Sequence, residues 1–149
     1  LVVIVAEMPG RSVLIATTIA LLCALAPLAA AAQLSGASLR DLKAQQSDSD
    51  ALAREAAYTS EVCGRSITAR IDWPSTRDWP SGSNLVAACD GALSAVEAIC
   101  RSGRKTLVRQ FVCAGDGSGA SLSAGTLRYG AKPGGDGFAE TKALLDASK

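Results

Sequence analysis

Cys63, Cys89, Cys100 and Cys113 carry the most reactive side chains that the sequence offers. Thiolates can ligate a metal, act as nucleophiles or close disulfides, and composition decides among these uses. The chain has no histidine, so a Cys-His or Ser-His-Asp arrangement cannot be assembled within it, and the commonest general base is missing. Structural zinc sites draw ligands in close pairs such as C-x-x-C, and no two of these cysteines lie that near in sequence. No metal and no cofactor is expected. Disulfides remain, provided that the compartment is oxidising.

Other chemistry-bearing patterns are weaker. Asp-Trp-Pro occurs at 72–74 and again at 78–80, and Asp72 with Asp78 is the carboxylate pair that a small hydrolase would use, although their spacing demands nothing beyond a solvated surface. Ser102 and Lys105 match S-x-x-K, but the companion Ser-Asp-Asn and Lys-Thr-Gly elements are absent, and Ser102 falls where a helix should end. Gly115 to Gly119 lacks the Gly-Lys-Ser/Thr ending of a phosphate loop. "GGDGFA" at 134–139 lacks the aspartate of a calcium-binding nonapeptide and does not recur. Both read as turns. Trp73, Arg77 and Trp79 are the expected ligand or partner contact, because an exposed Trp79 beside Arg77 would stack on a sugar ring or a partner's apolar patch. The alternative is that Trp79 covers the sheet edge. The tight basic cluster Arg101, Arg104, Lys105 suits a helix C-terminus. Without a basic stripe, no nucleic-acid partner is expected.

The N-terminus supplies the compartment. Met8 and Arg11 precede an apolar run from Val13 to Leu28, and Ala29 to Ala32 follow. These are the positive region, apolar core and A-x-A site of a secretory signal over residues 1–32. Met8 is the expected start, with Leu1 to Glu7 an over-extension or the product of an unusual start codon. An uncleaved anchor is the rival, but Pro27 and the alanine-rich exit suit a peptidase better. A lipoprotein reading is weak, because it needs a small residue before the modified cysteine and Leu22 precedes Cys23. The expected location is secreted or periplasmic, with no membrane contact after cleavage. Four cysteines then remain in an oxidising compartment.

The elements that must position these residues follow from periodicity. Residues 33–49 read as a polar lead-in that carries some helix around Leu39 to Gln46, and residues 50–149 as one domain. A helix is expected from Asp50 to Val62, capped by Ser49 or Asp50 and stopped by Gly64. In "SITARIDW" Ile67, Ala69, Ile71 and Trp73 alternate with polar residues, which makes a half-buried strand. Cys63 shares their parity, so an extended strand would aim its sulfur at the core. "DWPSTRDWPSG" is a loop. Ser83 can cap a helix reaching Arg101, whose stripe is Leu85 or Val86, Cys89, Leu93, Val96 and Cys100. Gly91 weakens it by roughly 1 kcal/mol relative to alanine. Thr106 to Cys113 is a second strand, and "SLSAGTLRYG" a third with a break at Ala124-Gly125. Asp136 can cap a last helix to Ala147, with Phe138, Leu144 and Leu145 inward. The order α-β-α-β-β-α predicts an α+β fold in which helices pack on a small mixed β-sheet.

The cysteine pairing follows from that order. Cys89 and Cys100 share one helix face about 16 Å apart along the axis, beyond the roughly 7 Å Cα separation that a disulfide tolerates. Each must pair outside the helix. If the flanking strands are parallel neighbours, the helix is a crossover running against both. Its end then returns to the start of the first strand, near Cys63, and its beginning lies over the strand ends, near Cys113. The expected bridges are Cys63–Cys100 and Cys89–Cys113, each worth roughly 3–4 kcal/mol in the chain-entropy model.

"CGRSITARIDW", "CDGALSAVEAIC", "VRQFVC" and "SLSAGTLRYG" together resemble an uncharacterised family of small exported bacterial four-cysteine proteins with no assigned activity. The resemblance spans Tyr58 to Leu145 and rests on cysteine placement and the last hairpin. It implies an exported four-cysteine domain and brings no catalytic residue. The expected function is a non-catalytic binding or envelope-associated module whose partner is a protein or an envelope component. The alternatives are a small carboxylate-dependent hydrolase, with two acidic groups converging at disturbed pKa values, and an inhibitor-like protein acting through its Gly-rich loop at Asp116 and Ser118.

Overall fold

The computed structural model describes residues 38–148. The expected signal segment, Met8 and the first part of the lead-in lie outside the described residues. Helix α1 spans Leu39–Cys63 and begins well before the expected start at Asp50. Ser38 accepts a hydrogen bond from the Asp41 N–H at 3.1 Å while the Asp41 carboxylate accepts from the Ser38 N–H at 3.0 Å, a capping box that satisfies two otherwise orphaned donors. Most of the polar lead-in is therefore the exposed start of α1, which buries only Leu52, Ala56 and Thr59. Its 25 residues give about 37 Å of helix. Gly64 ends it in the left-handed conformation, donating to the Ser60 and Glu61 carbonyls.

Strand β1 (Thr68–Ile71) leads into a 3-10 turn at Trp73–Thr76 and then helix α2 (Leu85–Arg101). Asn84, not Ser83, caps α2, its side chain accepting from the Ala87 N–H at 3.0 Å. Strand β2 (Gln110–Ala114) starts later than Thr106. Thr106 and Val108 are buried, but the next inward residue is Phe111, so period two breaks, and Arg109 and Gln110 both donate to the Gly125 carbonyl. Strands β3 (Gly119–Ser123) and β4 (Thr126–Gly130) form a hairpin. The expected third strand is thus two, and the order becomes α-β-α-β-β-β-α. Ala124 at φ 47 and Gly125 at φ 82 supply the paired left-handed residues of a two-residue hairpin loop. Helix α3 (Phe138–Ala147) follows. Gly137 is its N-cap, while the Asp136 carboxylate accepts from the Phe138 N–H.

The sheet order is β1-β2-β4-β3, with β1-β2 and β2-β4 parallel and β3-β4 antiparallel. Helix α2 is therefore the crossover between parallel neighbours, and the fold is α+β with a mixed sheet. It packs between α1 and α3. Between helices and sheet lie Leu52, Leu85, Cys89, Leu93, Val96, Ile99, Phe111, Leu127 and Tyr129. Gly91 lets α2 meet the chain before α3, since a side chain there would strike the Asp136 carbonyl. Leu145 is buried and Leu144 packs against the core, but Phe138 is exposed. It is the first residue of α3, ahead of the turn that reaches the sheet.

Both expected bridges are present. Cys63–Cys100 joins Cα atoms 5.0 Å apart and Cys89–Cys113 joins Cα atoms 5.9 Å apart. Cys63 reaches its partner from the last residue of α1 rather than from a strand. The four thiolates that a zinc site would need are consumed. Among the described residues, no helix is long and apolar enough to cross a membrane.

Candidate functional site

Three parallel strands, β1, β2 and β4, end on the same side of the sheet. In open sheets with parallel strands, ligands gather outside those carboxyl ends, where the connecting loops converge. The loop after β1 carries both Asp-Trp-Pro triplets, and the loop after β2 is the Gly-rich one. Hydrogen bonds stitch the two together. The Asp72 N–H donates to the Cys113 carbonyl at 2.8 Å. The Ser75 hydroxyl donates to the Asp72 carbonyl at 2.5 Å and accepts from the Gly115 N–H at 2.9 Å. Thr76 and the Trp79 ring press against Gly115 so closely that a side chain there would displace them.

Arg128 completes the junction. Its neighbours in β4, Leu127 and Tyr129, face the helices, so strand alternation turns Arg128 to the opposite face. One guanidinium nitrogen donates to the Ser118 hydroxyl at 2.7 Å and to Asp116 Oδ1 at 3.3 Å. The other donates to Asp116 Oδ2 at 2.6 Å and to Asp72 Oδ2 at 3.3 Å. Asp116 also accepts from the Ser118 hydroxyl and N–H. Gly130 makes room, because a side chain there would strike Asp116 and Ser118. The Arg128 hydrogen bonds hold the Asp116 carboxyl well below the usual carboxylate range, aided by Ser118 and against the cost of burial. Asp116 and Asp72 in turn raise the Arg128 pKa. Asp116 and Arg128 thus form an ionised pair held by several hydrogen bonds. A general acid needs the reverse, a carboxyl held neutral by its surroundings.

Trp73 and Trp79 are half-buried and pack against the core. The Trp79 indole N–H donates to the Ser83 carbonyl at 3.0 Å. Arg77 and Asp78 are exposed beside it, and neither forms an ion pair among the described residues. Asp72 is drawn to Arg128 and, through it, to Asp116. Asp116 and Ser118 lie folded onto Gly130 rather than projecting from the sheet. The basic cluster is dispersed: Arg101 pairs with Glu97 and donates to the Tyr58 hydroxyl, while Arg104 pairs with Asp146. Sequence reading missed Arg128, whose signal is faint: a lone charge at the outward position of "TLRYG".

Comparison with protein-family models, with curated proteins and with solved structures finds no match to this chain. Function has to be argued from the site itself.

Proposed function

We propose that this protein is an exported, non-catalytic binding module that recognises a protein or envelope component through the loops at its strand ends. The observation that carries this reading is the Arg128 clamp, which joins the Asp-Trp-Pro and Gly-rich loops into one preorganised surface. Rigid loops lose little entropy when a partner docks. Arg77, exposed beside Trp79 and without an ion pair among the described residues, offers a cation next to a partly exposed aromatic ring to a sugar or an apolar patch. Two disulfides and the resemblance to exported four-cysteine proteins support secretion or a periplasmic location. The ionised state of Asp116 speaks against the hydrolase alternative at this site.

The chain's two tryptophans both lie in this loop, so intrinsic fluorescence reports on the site alone. Titration with soluble cell-wall glycans and with purified envelope proteins should shift the emission, and Arg77→Ala should weaken the response. Emission indifferent to both classes of ligand would remove the proposal. Intact mass of the exported protein, before and after reduction, tests the location separately: it should begin at Gln33 and gain four hydrogens.

A further inference from the structure

The outer edge of β3 shows a different kind of surface. In the β3–β4 hairpin, Ser123 lies opposite Thr126 across the two-residue turn, and Ser121 and Gly119 face Arg128 and Gly130. Those three residues of β3 form the hydrogen-bonded pairs of the ladder, so the N–H and C=O groups of Ala120 and Leu122 point away from the sheet. The Ala131 N–H, which donates to Ala114 in β2, confirms the alternation along β4. The edge sequence Gly-Ala-Ser-Leu-Ser contains no charge and no proline, the usual devices that keep strand edges from pairing. One device is present from outside: Glu140 of α3 accepts the outward Ala120 N–H at 2.9 Å. Gly119 admits it, because a side chain there would collide with the Glu140 carboxylate.

We propose that the β3 edge is a pairing surface for a second copy of this chain, latched by Glu140. The edge is self-complementary. An antiparallel copy centred on Ser121 sets Ala120 opposite Leu122 of the partner and Leu122 opposite Ala120 of the partner. Every outward N–H and C=O of these two residues is then satisfied. Charge fits the same arrangement. Glu140 sits at the Ala120 end, while Lys105 borders the same hollow as Leu122 and the exposed Leu107. Antiparallel pairing brings the acidic end of one copy to the basic end of its partner. The pairing requires Glu140 to give up the Ala120 N–H. The exposed ion pair gained across the seam is weaker than the charge-assisted bond lost, so the latch favours the monomer.

Sedimentation velocity over a concentration series tests this in the oxidised protein. Glu140→Ala should tighten dimerisation by about tenfold or more. Adding Ser121→Glu should reverse the effect, because that position meets its own symmetry mate while lying beside Arg128 within each copy. Amide exchange in the unaltered protein gives a second reading that needs no variant: the Ala120 amide should be protected and the Leu122 amide fast. A Glu140→Ala protein that stays as monomeric as the parent overturns the proposal. So does a dimer that survives Ser121→Glu, or a Leu122 amide as slow as that of Ala120 in the monomer.

Discussion

The two disulfides close loops of different length, with sequence separations of 37 for Cys63–Cys100 and 24 for Cys89–Cys113. In the chain-entropy model these are worth about 3.8 and about 3.4 kcal/mol, so loop length alone ranks the outer bridge first. Burial reverses the order. Cys89 and Cys113 are both 0% exposed within the core, whereas Cys63 and Cys100 are only half-buried at the ends of α1 and α2. Replacing each buried cysteine by alanine deletes an atom of roughly methyl size from a packed interior, at about 1 kcal/mol apiece. The Cys89→Ala/Cys113→Ala variant should therefore lose about 5–6 kcal/mol, and the Cys63→Ala/Cys100→Ala variant about 4. For a domain of ordinary stability the first loss leaves little folded protein. Urea unfolding measures both, with the extrapolated free energies compared rather than the midpoints, because removing a cross-link expands the unfolded chain and steepens the denaturant slope. If the outer pair proves the costlier to remove, core packing around Cys89 and Cys113 does not outweigh loop length, and the reasoning fails.

Gly91→Ala tests a sign. Helix propensity alone predicts a gain of about 1 kcal/mol, but the added methyl meets the Asp136 carbonyl, and relieving such overlap costs about 1–3 kcal/mol. Thermal unfolding should show a net loss, and a stabilised variant would show that the segment before α3 yields freely. Arg128→Met should cost about 1–2 kcal/mol, discounted because the side chains of Arg128 and Asp116 remain 30% and 38% exposed. It should also change tryptophan emission, since the loops that Arg128 joins hold both tryptophans; unchanged emission would mean that the loops hold together without the clamp. The Asp116 carboxyl is held below its usual value of 3.8, so its contribution is complete above that value and is lost as pH falls below it. Free energies of unfolding measured from about pH 6 to about pH 2 should fall more steeply on the acid side for the parent than for Arg128→Met. Equal slopes would dissociate Asp116 from Arg128.

Much of this architecture could be read from residue periodicity, and the misses have local causes. The pairing of the cysteines was legible because helix rise forbids Cys89–Cys100 and a parallel crossover leaves one arrangement. It survived even though Cys63 sits on a helix, since only the position of the chain near the start of β1 mattered. The start of α1 was hidden because its capping box uses Asp41 where Glu or Gln is usual, leaving Ser49 and Asp50 as the more conspicuous signal. The hairpin turn uses Ala-Gly where Asn-Gly would announce itself. Phe138 misled because apolar character does not fix burial in the first turn of a helix, where half the circumference faces solvent.

The clamp was out of reach for a different reason. Arg128 lies 56 residues from Asp72 and 12 from Asp116, and no local pattern relates positions so far apart. What relates them is strand order. Had β4 paired beyond β3 instead of entering between β2 and β3, Arg128 would lie three strands, about 14 Å, from the loop after β1, rather than the two strands it now spans to Asp72. Its side chain would then fall short of Asp72, and the two loops would lose their shared partner. Insertion of β4 next to β2 makes one surface of two loops that the sequence presents as separate. It also places β3 at the margin, where Glu140 accepts the outward N–H of Ala120. The joined loops and the capped β3 edge are thus two consequences of one choice of strand order, which local patterning in this chain leaves open.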